Sequence, residues 1–341
     1  MIKNIAITNF KSIKNLKVHA RKINIFIGEP NTGKSNILEA LGLLSGLYYD
    51  CHDLKKFVRF ERTVDLFYNQ SVQNTIEINT DDHGIEGKLE KNLALINVFN
   101  IEETINFSDK EKIITFRYGI GGDIQGSNGG SSVKAEQATS IFSPIKYYLF
   151  KPLTYFNLEN VSFLHPPFGE NLSALANANP EISEIMVSRF KEFGYDVLLS
   201  PYENKISILK KTKNVYVSLP YHVSSDSIRR IIFYMAAMKS NTSSVLVFEE
   251  PESNIFPYFV TMLAESIGLD NNDNQYFIAT HNPYFLLSVL EKAPKSDINV
   301  FVTYLDKSGT NVKCLSNSEI PELMEHDPFL NLNLFIEKDK Q

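Results

Sequence analysis

Three short segments of the chain carry residue types suited to chemistry on a phosphate group. The first, Gly28–Ser35, reads GEPNTGKS and matches the pattern G-x-x-x-x-G-K-[ST] in full. The second is the acidic pair Glu249–Glu250, which ends the apolar run VLVFEE, and the third is Thr280–His281, which ends the run YFIATH. These segments lie far apart in the chain, so their chemistry depends on a fold that brings them together.

The Gly28–Ser35 segment suits a triphosphate ligand, with Mg²⁺ beside it. Glycines at 28 and 33 let the backbone turn so that its N–H groups point inward. Lys34 is expected to reach the β- and γ-phosphates of ATP, and the Ser35 hydroxyl to bind Mg²⁺. The expected nucleotide contacts are Gly28, Glu29, Pro30, Asn31, Thr32, Gly33, Lys34, Ser35 and Asn36.

The flanking residues favour this interpretation over a chance match on a glycine turn. The β-branched and aromatic run Ile23–Ile27 predicts a strand that ends at the loop. Apolar residues recur at helical spacing after Lys34, and they predict a helix whose N-terminus adds partial positive charge at the phosphate site.

The acidic pair and the histidine each follow a run that is typical of a buried parallel strand. The carboxyl ends of such strands are where ligands bind in α/β sheets. Glu249 is therefore expected to hold Mg²⁺, directly or through water, and Glu250 to act as the general base toward water. His281 is expected to sense the γ-phosphate; the plainer alternatives are two solvated acids and a structural histidine.

Composition limits the class of protein. The chain has 341 residues, of which 43% are apolar, so it can build a core and about two domains. A formal net charge of −6 argues against coating nucleic acid by bulk charge, although it allows a local basic groove that forms only in an assembled state. Two widely spaced cysteines form no disulfide framework or metal cluster, and no apolar run is long enough to insert into a membrane, so we expect a cytoplasmic protein.

The pattern along the chain predicts an α/β fold in three parts. Residues 1–165 are expected to form an N-terminal lobe with the phosphate loop and a β-rich insertion. Residues 166–240 should form a helical lobe, in which strand-like runs follow after about residue 196, and residues 241–341 the C-terminal half of the core. The Gly- and Ser-rich segment Gly119–Ser132 is expected to be a mobile surface loop.

Four elements in order, GEPNTGKS, SSDS, VLVFEEPESNIFP and IATHNP, give the chain a family resemblance. It resembles ABC-type P-loop ATPases of the branch that contains RecF, the structural-maintenance-of-chromosomes (SMC) proteins and the OLD family, among the AAA-family ATP-binding proteins. The long insertion between phosphate loop and acidic strand is typical of the ABC class. The resemblance implies an ABC-ATPase head: a parallel core sheet with flanking helices, an antiparallel β lobe and a helical signature lobe.

The stretch HVSSDSIRR, residues 222–230, allows two interpretations. Ser-Ser-Asp-Ser before an apolar helical pattern is an ordinary helix start. By the resemblance, it is also the signature loop, whose Ser224 would bind the γ-phosphate of ATP held by a second copy. The family usually has Gly where this chain has Asp226, and that carboxylate would repel phosphate unless it turns away or meets a cation such as Arg229 or Arg230.

Three functions remain open from the sequence. The first is an ATP-hydrolysing enzyme that dimerises around two ATP molecules and acts on DNA or a partner protein, with DNA repair or defence against mobile elements suggested by resemblance alone. The second is an ATP-binding regulatory switch with little turnover, which Asp226 and the absence of a D-loop aspartate after Glu252 favour. The third is the ATPase subunit of a membrane transporter, against which the weak signature and the long insertion count.

Overall fold

A computed structural model describes residues 1–81, 83–90, 93–100, 111–118, 124–128, 140–158, 162–325, 329 and 332–337. The strands are β1 (Asn4–Phe10), β2 (Ile13–His19), β3 (Ile23–Gly28), β4 (Ile76–Asn79), β5 (His83–Glu90), β6 (Leu93–Asn100), β7 (Glu111–Tyr118), β8 (Ile124–Asn128), β9 (Ile145–Tyr148), β10 (Asp196–Ser200), β11 (Lys205–Thr212), β12 (Val215–Pro220), β13 (Val245–Glu249), β14 (Gln275–Ala279), β15 (Ile298–Asp306) and β16 (Gly309–Cys314). The helices are α1 (Lys34–Tyr49), α2 (Leu172–Ala178), α3 (Pro180–Lys191), α4 (Asp226–Lys239), α5 (Pro257–Gly268), α6 (Pro283–Lys292), α7 (Glu319–Glu325) and α8 (Leu332–Glu337).

Five strands form the parallel core of the main sheet. They lie in the order β15-β3-β14-β13-β9, and each neighbouring pair is parallel. Strands β3, β13 and β14 are buried along their whole length, as expected for strands covered by helices on both faces. Because β3, β13 and β14 are adjacent and parallel, their carboxyl ends meet at one edge of the sheet. This adjacency brings the three chemistry-bearing segments together.

An antiparallel wing extends the same sheet. Beyond β15 the order continues through β16, β2, β1, β4, β5, β6, β7 and β8, with antiparallel pairing at each step. The expected mixed fold, a parallel core with an antiparallel β lobe, is therefore confirmed. The division into residues 1–165, 166–240 and 241–341 stays a prediction, although β9 from the first range pairs directly with β13 from the last.

The prediction of a loop at Gly119–Ser132 is wrong for residues 124–128. These residues form β8, which pairs antiparallel with β7. Backbone hydrogen bonds to a neighbouring strand stabilise this extended segment despite a composition poor in strand-forming side chains. The remainder of the segment, residues 119–123 and 129–132, lies outside the described residues.

A second, three-stranded sheet lies in the lobe that precedes α4. Its order is β10-β11-β12, all antiparallel, and α2 and α3 come before it in the chain. These elements confirm the predicted helices and the strand-like runs that were expected to follow after about residue 196. From β12 only Tyr221–Ser225 separate the sheet from the start of α4.

The core has two layers, one on each face of the main sheet. On one face, α1 packs its apolar stripe of Ile37, Leu38, Leu41 and Leu44 against alternate residues of the core strands. On the other face, α4, α5 and α6 cover the intervening residues, such as Ile25, Leu246 and Phe248. This arrangement places the phosphate loop between strand β3 and helix α1 at the edge of the sheet.

Candidate active site

Two glycines shape the loop between β3 and α1. Gly33 precedes α1 with φ +98°, and a Cβ atom there would lie 2.0 Å from Thr310 Oγ1. Gly28 has φ +155°, and its Cβ would lie 2.2 Å from Thr303 Oγ1. The backbone thus needs glycine at both positions, for conformation and for space. The start of α1 has no side-chain cap and no acidic residue in its first turn, so its free N–H groups suit an anion.

Lys34 is folded back onto its own loop. Its Nζ donates to the carbonyl oxygens of Gly28, at 2.9 Å, and of Glu29, at 2.7 Å. Burial lowers the pKa of Lys34 to about 8, against the opposing influence of Glu250 and Glu29. The ammonium group is therefore held in the turn of the loop, with the carboxylate of Glu250 near it.

The other residues of the expected nucleotide set occupy different environments. Thr32 is buried and braces the loop, because its Oγ1 donates to the Glu29 carbonyl oxygen at 2.8 Å. Glu29, Pro30 and Asn31 are exposed, and Ser35 is half-buried. Asn36 donates from Nδ2 to Ser12 Oγ at 2.6 Å and so ties α1 to the β1–β2 turn.

One cleft collects most of the predicted residues. It has a volume of about 450 Å³, and its lining consists of Pro30, Asn31, Gly33, Lys34, Ser35, Asn36, Arg59, Glu250 and His281. The ends of β3, β13 and β14 thus contribute to a single site.

Glu250 and His281 face each other across this cleft. Glu250 adopts a left-handed backbone with φ +43°, and its N–H donates to the Ala279 carbonyl oxygen at 2.9 Å. Its Oε1 lies 3.7 Å from His281 Nε2, and its Oε2 accepts from Ser253 Oγ at 2.8 Å. Burial and the charge of Lys34 lower the pKa of His281, which Glu250 partly offsets. Glu250 is half-exposed, which leaves its carboxylate accessible to water.

Glu249 is buried, and each of its carboxylate oxygens accepts a hydrogen bond. Its Oε1 accepts from Arg59 Nη2 at 2.8 Å, and its Oε2 accepts from the Tyr147 hydroxyl at 2.9 Å. A metal ion at Glu249 would have to displace Arg59 or reach the carboxylate through water. Its role as a magnesium ligand stays a prediction.

Arg59 is a site residue that the sequence does not indicate. It bridges two buried carboxylates: Nε donates to Glu39 Oε1 at 2.5 Å, and Nη2 to Glu249. Glu39 also pairs with Lys11, so Lys11, Glu39, Arg59 and Glu249 form a continuous series of ion pairs at the cleft. The sequence FVRFER around Arg59 matches no motif, and only the tertiary fold brings it beside β13.

Ser224 lies elsewhere. Its Oγ donates to the Tyr221 carbonyl oxygen at 2.7 Å, and it lines a separate apolar groove with residues such as Phe193 and Phe256. Asp226, which begins α4, pairs with Arg229 at 3.1 Å and approaches Arg230 at 4.0 Å. The Asp226 carboxylate therefore pairs with the two arginines that were expected to neutralise it. Ser224 does not line the phosphate-loop cleft of its own chain.

The donor set fits a nucleotide and, in part, a magnesium ion. The uncapped start of α1, the left-handed glycines and the Lys34 ammonium suit a triphosphate. Ser35 can supply one oxygen ligand, and Mg²⁺ commonly takes the rest from phosphates, waters and one or two carboxylates. Among the described residues no group of three or more His, Cys, Asp or Glu is arranged to hold a metal ion.

Comparison with protein families assigns the chain to a class. Residues 23–288 match the family described as "AAA domain, putative AbiEii toxin, Type IV TA system". The chain belongs to this family, and its assignment as a P-loop ATPase is confirmed. Among the described residues no helix combines the length and apolar character needed to cross a bilayer.

Individual relatives are more distant. A protein of Helicobacter pylori (strain ATCC 700392 / 26695) named "ATP/GTP phosphatase" is 22% identical in an alignment 328 residues long, and the match covers 84% of this chain and 86% of that protein. An SMC head in complex with the C-terminal winged-helix domain of ScpA has a TM-score of 0.55 at 16% identity, covering 94% of this chain and 99% of that one. An SMC head from Pyrococcus furiosus, bound to the C-terminal domain of ScpA, has a TM-score of 0.53 at 14% identity, covering 95% and 98%. These structures share the fold of the ABC-type head.

Proposed function

We propose that the protein hydrolyses ATP with Mg²⁺ at the cleft, and that two copies close around two nucleotides. The observation that carries the proposal is the convergence of Lys34, Glu250 and His281 on one cleft at the ends of three adjacent parallel strands. The name of the Helicobacter pylori relative, a phosphatase for ATP and GTP, supports the same reaction.

Each residue in the cleft has a separate role in this proposal. The loop N–H groups and Lys34 hold the triphosphate, and Ser35 with Glu249 would hold the metal ion, which supplies charge neutralisation when bound. Glu250 accepts a proton from the attacking water, whose oxygen forms the new bond to the γ-phosphorus as the bond to the β–γ bridging oxygen breaks. His281 lies beside Glu250 and donates a hydrogen bond to the γ-phosphate.

The position of Ser224 supports dimerisation. Within one chain it lies outside the phosphate-loop cleft, while Arg229 and Arg230 neutralise the neighbouring Asp226. We propose that Ser224 and the start of α4 reach the nucleotide of a second copy. ATP then closes the pair, and hydrolysis at Glu250 opens it.

Size-exclusion chromatography of the Glu250→Gln variant tests this proposal. The variant should bind ATP without hydrolysing it and elute as a dimer with ATP and Mg²⁺, whereas the Ser224→Ala and Glu250→Gln double variant should remain monomeric. If the wild type and Glu250→Gln are both monomers with bound ATP, the dimer is excluded while ATP binding stands.

The alternative is an ATP-dependent switch with little turnover. The chain has Ser253 and Asn254 after Glu252, where the D-loop aspartate of related ATPases is expected, and this favours the switch. Steady-state phosphate release decides between the two. A rate that Lys34→Ala leaves unchanged supports the switch, and a rate that Lys34→Ala abolishes supports the enzyme.

The hairpin β11–β12 is our candidate for contact with DNA. Lys210, Lys211 and Lys213 are exposed at its tip, and none of them pairs with an acidic residue in the described part of the chain. Residues 204–225 contain no Asp or Glu, so the hairpin is locally basic in an acidic protein. The hairpin is followed directly by Tyr221 and the Ser224 loop. A ligand bound to the hairpin would therefore contact a segment that is adjacent in sequence to the signature loop.

The ATPase rate with and without duplex DNA, at about 50 and 200 mM salt, tests this partner. Stimulation should fall steeply with salt, and substitution of Lys210, Lys211 and Lys213 by Gln should remove it. Lys307→Gln, on the exposed β15–β16 turn, is the control with unchanged stimulation. A partner protein is favoured instead if DNA changes neither the rate nor its dependence on salt.

A further inference from the structure

Glu252 lies between the loop that carries Glu250 and the loop that carries His281. Its side chain is 5% exposed, and it does not line the nucleotide cleft. A buried glutamate usually has a cation beside it. Within the described residues Glu252 has no such ion pair, so its burial needs another explanation.

The side-chain hydrogen bonds of Glu252 all reach the loop after β14. Its Oε1 accepts from Thr280 Oγ1 at 2.5 Å and from the His281 N–H at 3.3 Å. Thr280 Oγ1 in turn accepts from the Asn282 N–H at 3.0 Å, just before α6 begins. One carboxylate therefore fixes the backbone from which the His281 imidazole projects.

This anchor is unfavourable for the fold itself. The second oxygen, Oε2, is buried and has no hydrogen-bond partner within the described structure. Burial raises the pKa of Glu252 to about 7, although the hydrogen bonds from Thr280 and His281 act in the opposite direction. A neutral amide of the same shape could accept the same two hydrogen bonds without a buried charge.

We propose that Glu252 is a positioning residue, which holds Thr280 and His281 so that the imidazole faces Glu250 across the cleft. The inference rests on the proposed function, in which His281 and Glu250 act on the same nucleotide. An ionised carboxylate is a stronger acceptor than an amide, so it restrains the His281 loop more tightly. The fold gives up stability at this position and gains a fixed geometry at the reacting end of the nucleotide.

Four variants separate positioning from simple structural support. Glu252→Gln keeps the acceptor and removes the charge, and Glu252→Ala removes both. Thr280→Ser keeps the hydroxyl donor, and Thr280→Val removes it. Glu265→Gln, which changes a half-buried glutamate on α5 paired with Lys292, is the control.

We expect kcat for phosphate release to fall about 100-fold in Glu252→Ala, because misplacement of a reacting group by about 1 Å has effects of that size. KM for ATP should stay within about twofold, since the phosphate loop is untouched. Glu252→Gln should have an intermediate kcat and, at pH 8, a higher Tm than the wild type. Thr280→Ser should keep most of the activity that Thr280→Val loses.

A positioning role predicts that Glu252→Gln lowers kcat while it raises Tm. A purely structural Glu252 would make Glu252→Gln less stable, with kcat per folded molecule unchanged. Either that result or an unchanged kcat in Glu252→Ala would overturn the proposal.

A second measurement does not depend on turnover. The pKa of the His281 imidazole, followed by NMR and assigned with His281→Asn, should rise toward the ordinary histidine value in Glu252→Ala, because the freed loop moves into solvent. It should remain low in Glu252→Gln. If the wild type fails to hydrolyse ATP but this change in pKa occurs, the proposed function fails and the anchoring role of Glu252 stands. An unchanged pKa in Glu252→Ala overturns the anchor whatever the turnover.

Discussion

Helices α1 and α4 begin in different ways, although both are candidates for phosphate contact. The start of α1 has Gly33 in a left-handed conformation and no acidic residue in its first turn. The start of α4 follows Ser225 and carries Asp226, which Arg229 and Arg230 neutralise. Neither helix has a side-chain cap, so both leave N–H groups free.

The difference shows that the N-terminus of α1 is better arranged to bind a phosphate group than the N-terminus of α4. The α1 loop is complete within one chain, because β3, Lys34 and the glycines already form the anion site. At α4 the carboxylate of Asp226 already pairs with Arg229 and Arg230, and its negative charge would repel an incoming phosphate. We infer that α1 binds the nucleotide first and that α4 contributes only when a second copy supplies the phosphate.

Gly33→Ala should produce the largest effect. A Cβ atom at φ +98° is strained and would collide with Thr310, at a combined cost of roughly 4 kcal/mol in the free energy of unfolding. Chemical denaturation measures this loss, and ATP binding should disappear with it. Ser225→Ala, the matched change at α4, should cost less than about 1 kcal/mol because Ser225 makes no cap hydrogen bond. Equal losses of stability in Gly33→Ala and Ser225→Ala would contradict the proposed difference between the N-termini of α1 and α4.

Glu252 should give the wild type a stability that falls as pH rises. Its pKa in the fold is about 7, above the ordinary 4.5, so the protonated form suits the fold and stability is lost as pH rises from about 4.5 through 7. The loss is of the order of 3 kcal/mol. The groups that influence this titration are Glu250 in the same loop, Thr280 and His281 after β14, and Tyr234 on α4.

Denaturation at pH 5 and pH 8 checks this prediction. Glu252→Gln cannot ionise, so its stability relative to the wild type should increase between the two pH values. Titration of His281 affects both proteins and cancels in the difference. A difference that stays constant with pH would show that Glu252 does not titrate in this range.

Most of the fold and the central part of the site follow from local sequence patterns. Apolar runs that end in candidate site residues predicted β3, β13 and β14. The positions of Gly28, Gly33 and Lys34 predicted the phosphate loop. Strand β8 was missed, because its pairing with β7 is a long-range property that a Gly- and Ser-rich composition conceals.

The partners of the predicted side chains could not be predicted. Glu249 contacts Arg59 and Tyr147, which lie in regions without a recognisable motif. Glu252 reads in the sequence as one more acid of an acidic motif, and its burial depends on how the loop after β14 packs. These contacts depend on the register and loop packing of distant segments, which local patterns do not encode.

Arg59→Ala should have an intermediate effect that depends on the metal. It leaves the carboxylates of Glu39 and Glu249 without their shared cation. Because the Arg59 side chain is 64% exposed, solvent screening limits the loss in the free energy of unfolding to about 2 kcal/mol. Thermal unfolding with ATP should show that Mg²⁺ restores more stability to Arg59→Ala than to the wild type, because the ion can then reach Glu249. Arg62→Ala, which breaks a surface pair with Asp65, should change stability by no more than about 0.5 kcal/mol. An identical response to Mg²⁺ in Arg59→Ala and wild type would argue against Glu249 as a metal ligand.

Asp226→Asn should have the smallest effect on stability. It removes a favourable charge from the first turn of α4 and weakens the ion pairs with Arg229 and Arg230, at a cost of about 0.5–1 kcal/mol. It should also strengthen the ATP-dependent dimer of Glu250→Gln, because a negative charge no longer faces the partner's phosphate. Sedimentation at several protein concentrations measures this. If Asp226→Asn weakens the dimer as Ser224→Ala should, the carboxylate takes part in the contact and the comparison of the two helix starts must be revised.

Calorimetric titration of ATP with Mg²⁺ into the wild type, Lys34→Ala and Glu249→Gln tests most directly whether one nucleotide and its metal ion join the phosphate loop to the acidic strand. The wild type should bind one ATP per chain, Lys34→Ala should lose binding, and Glu249→Gln should keep binding while losing the gain in affinity that Mg²⁺ provides. Absence of heat with the wild type, or a Mg²⁺ effect that Glu249→Gln leaves intact, would contradict the account.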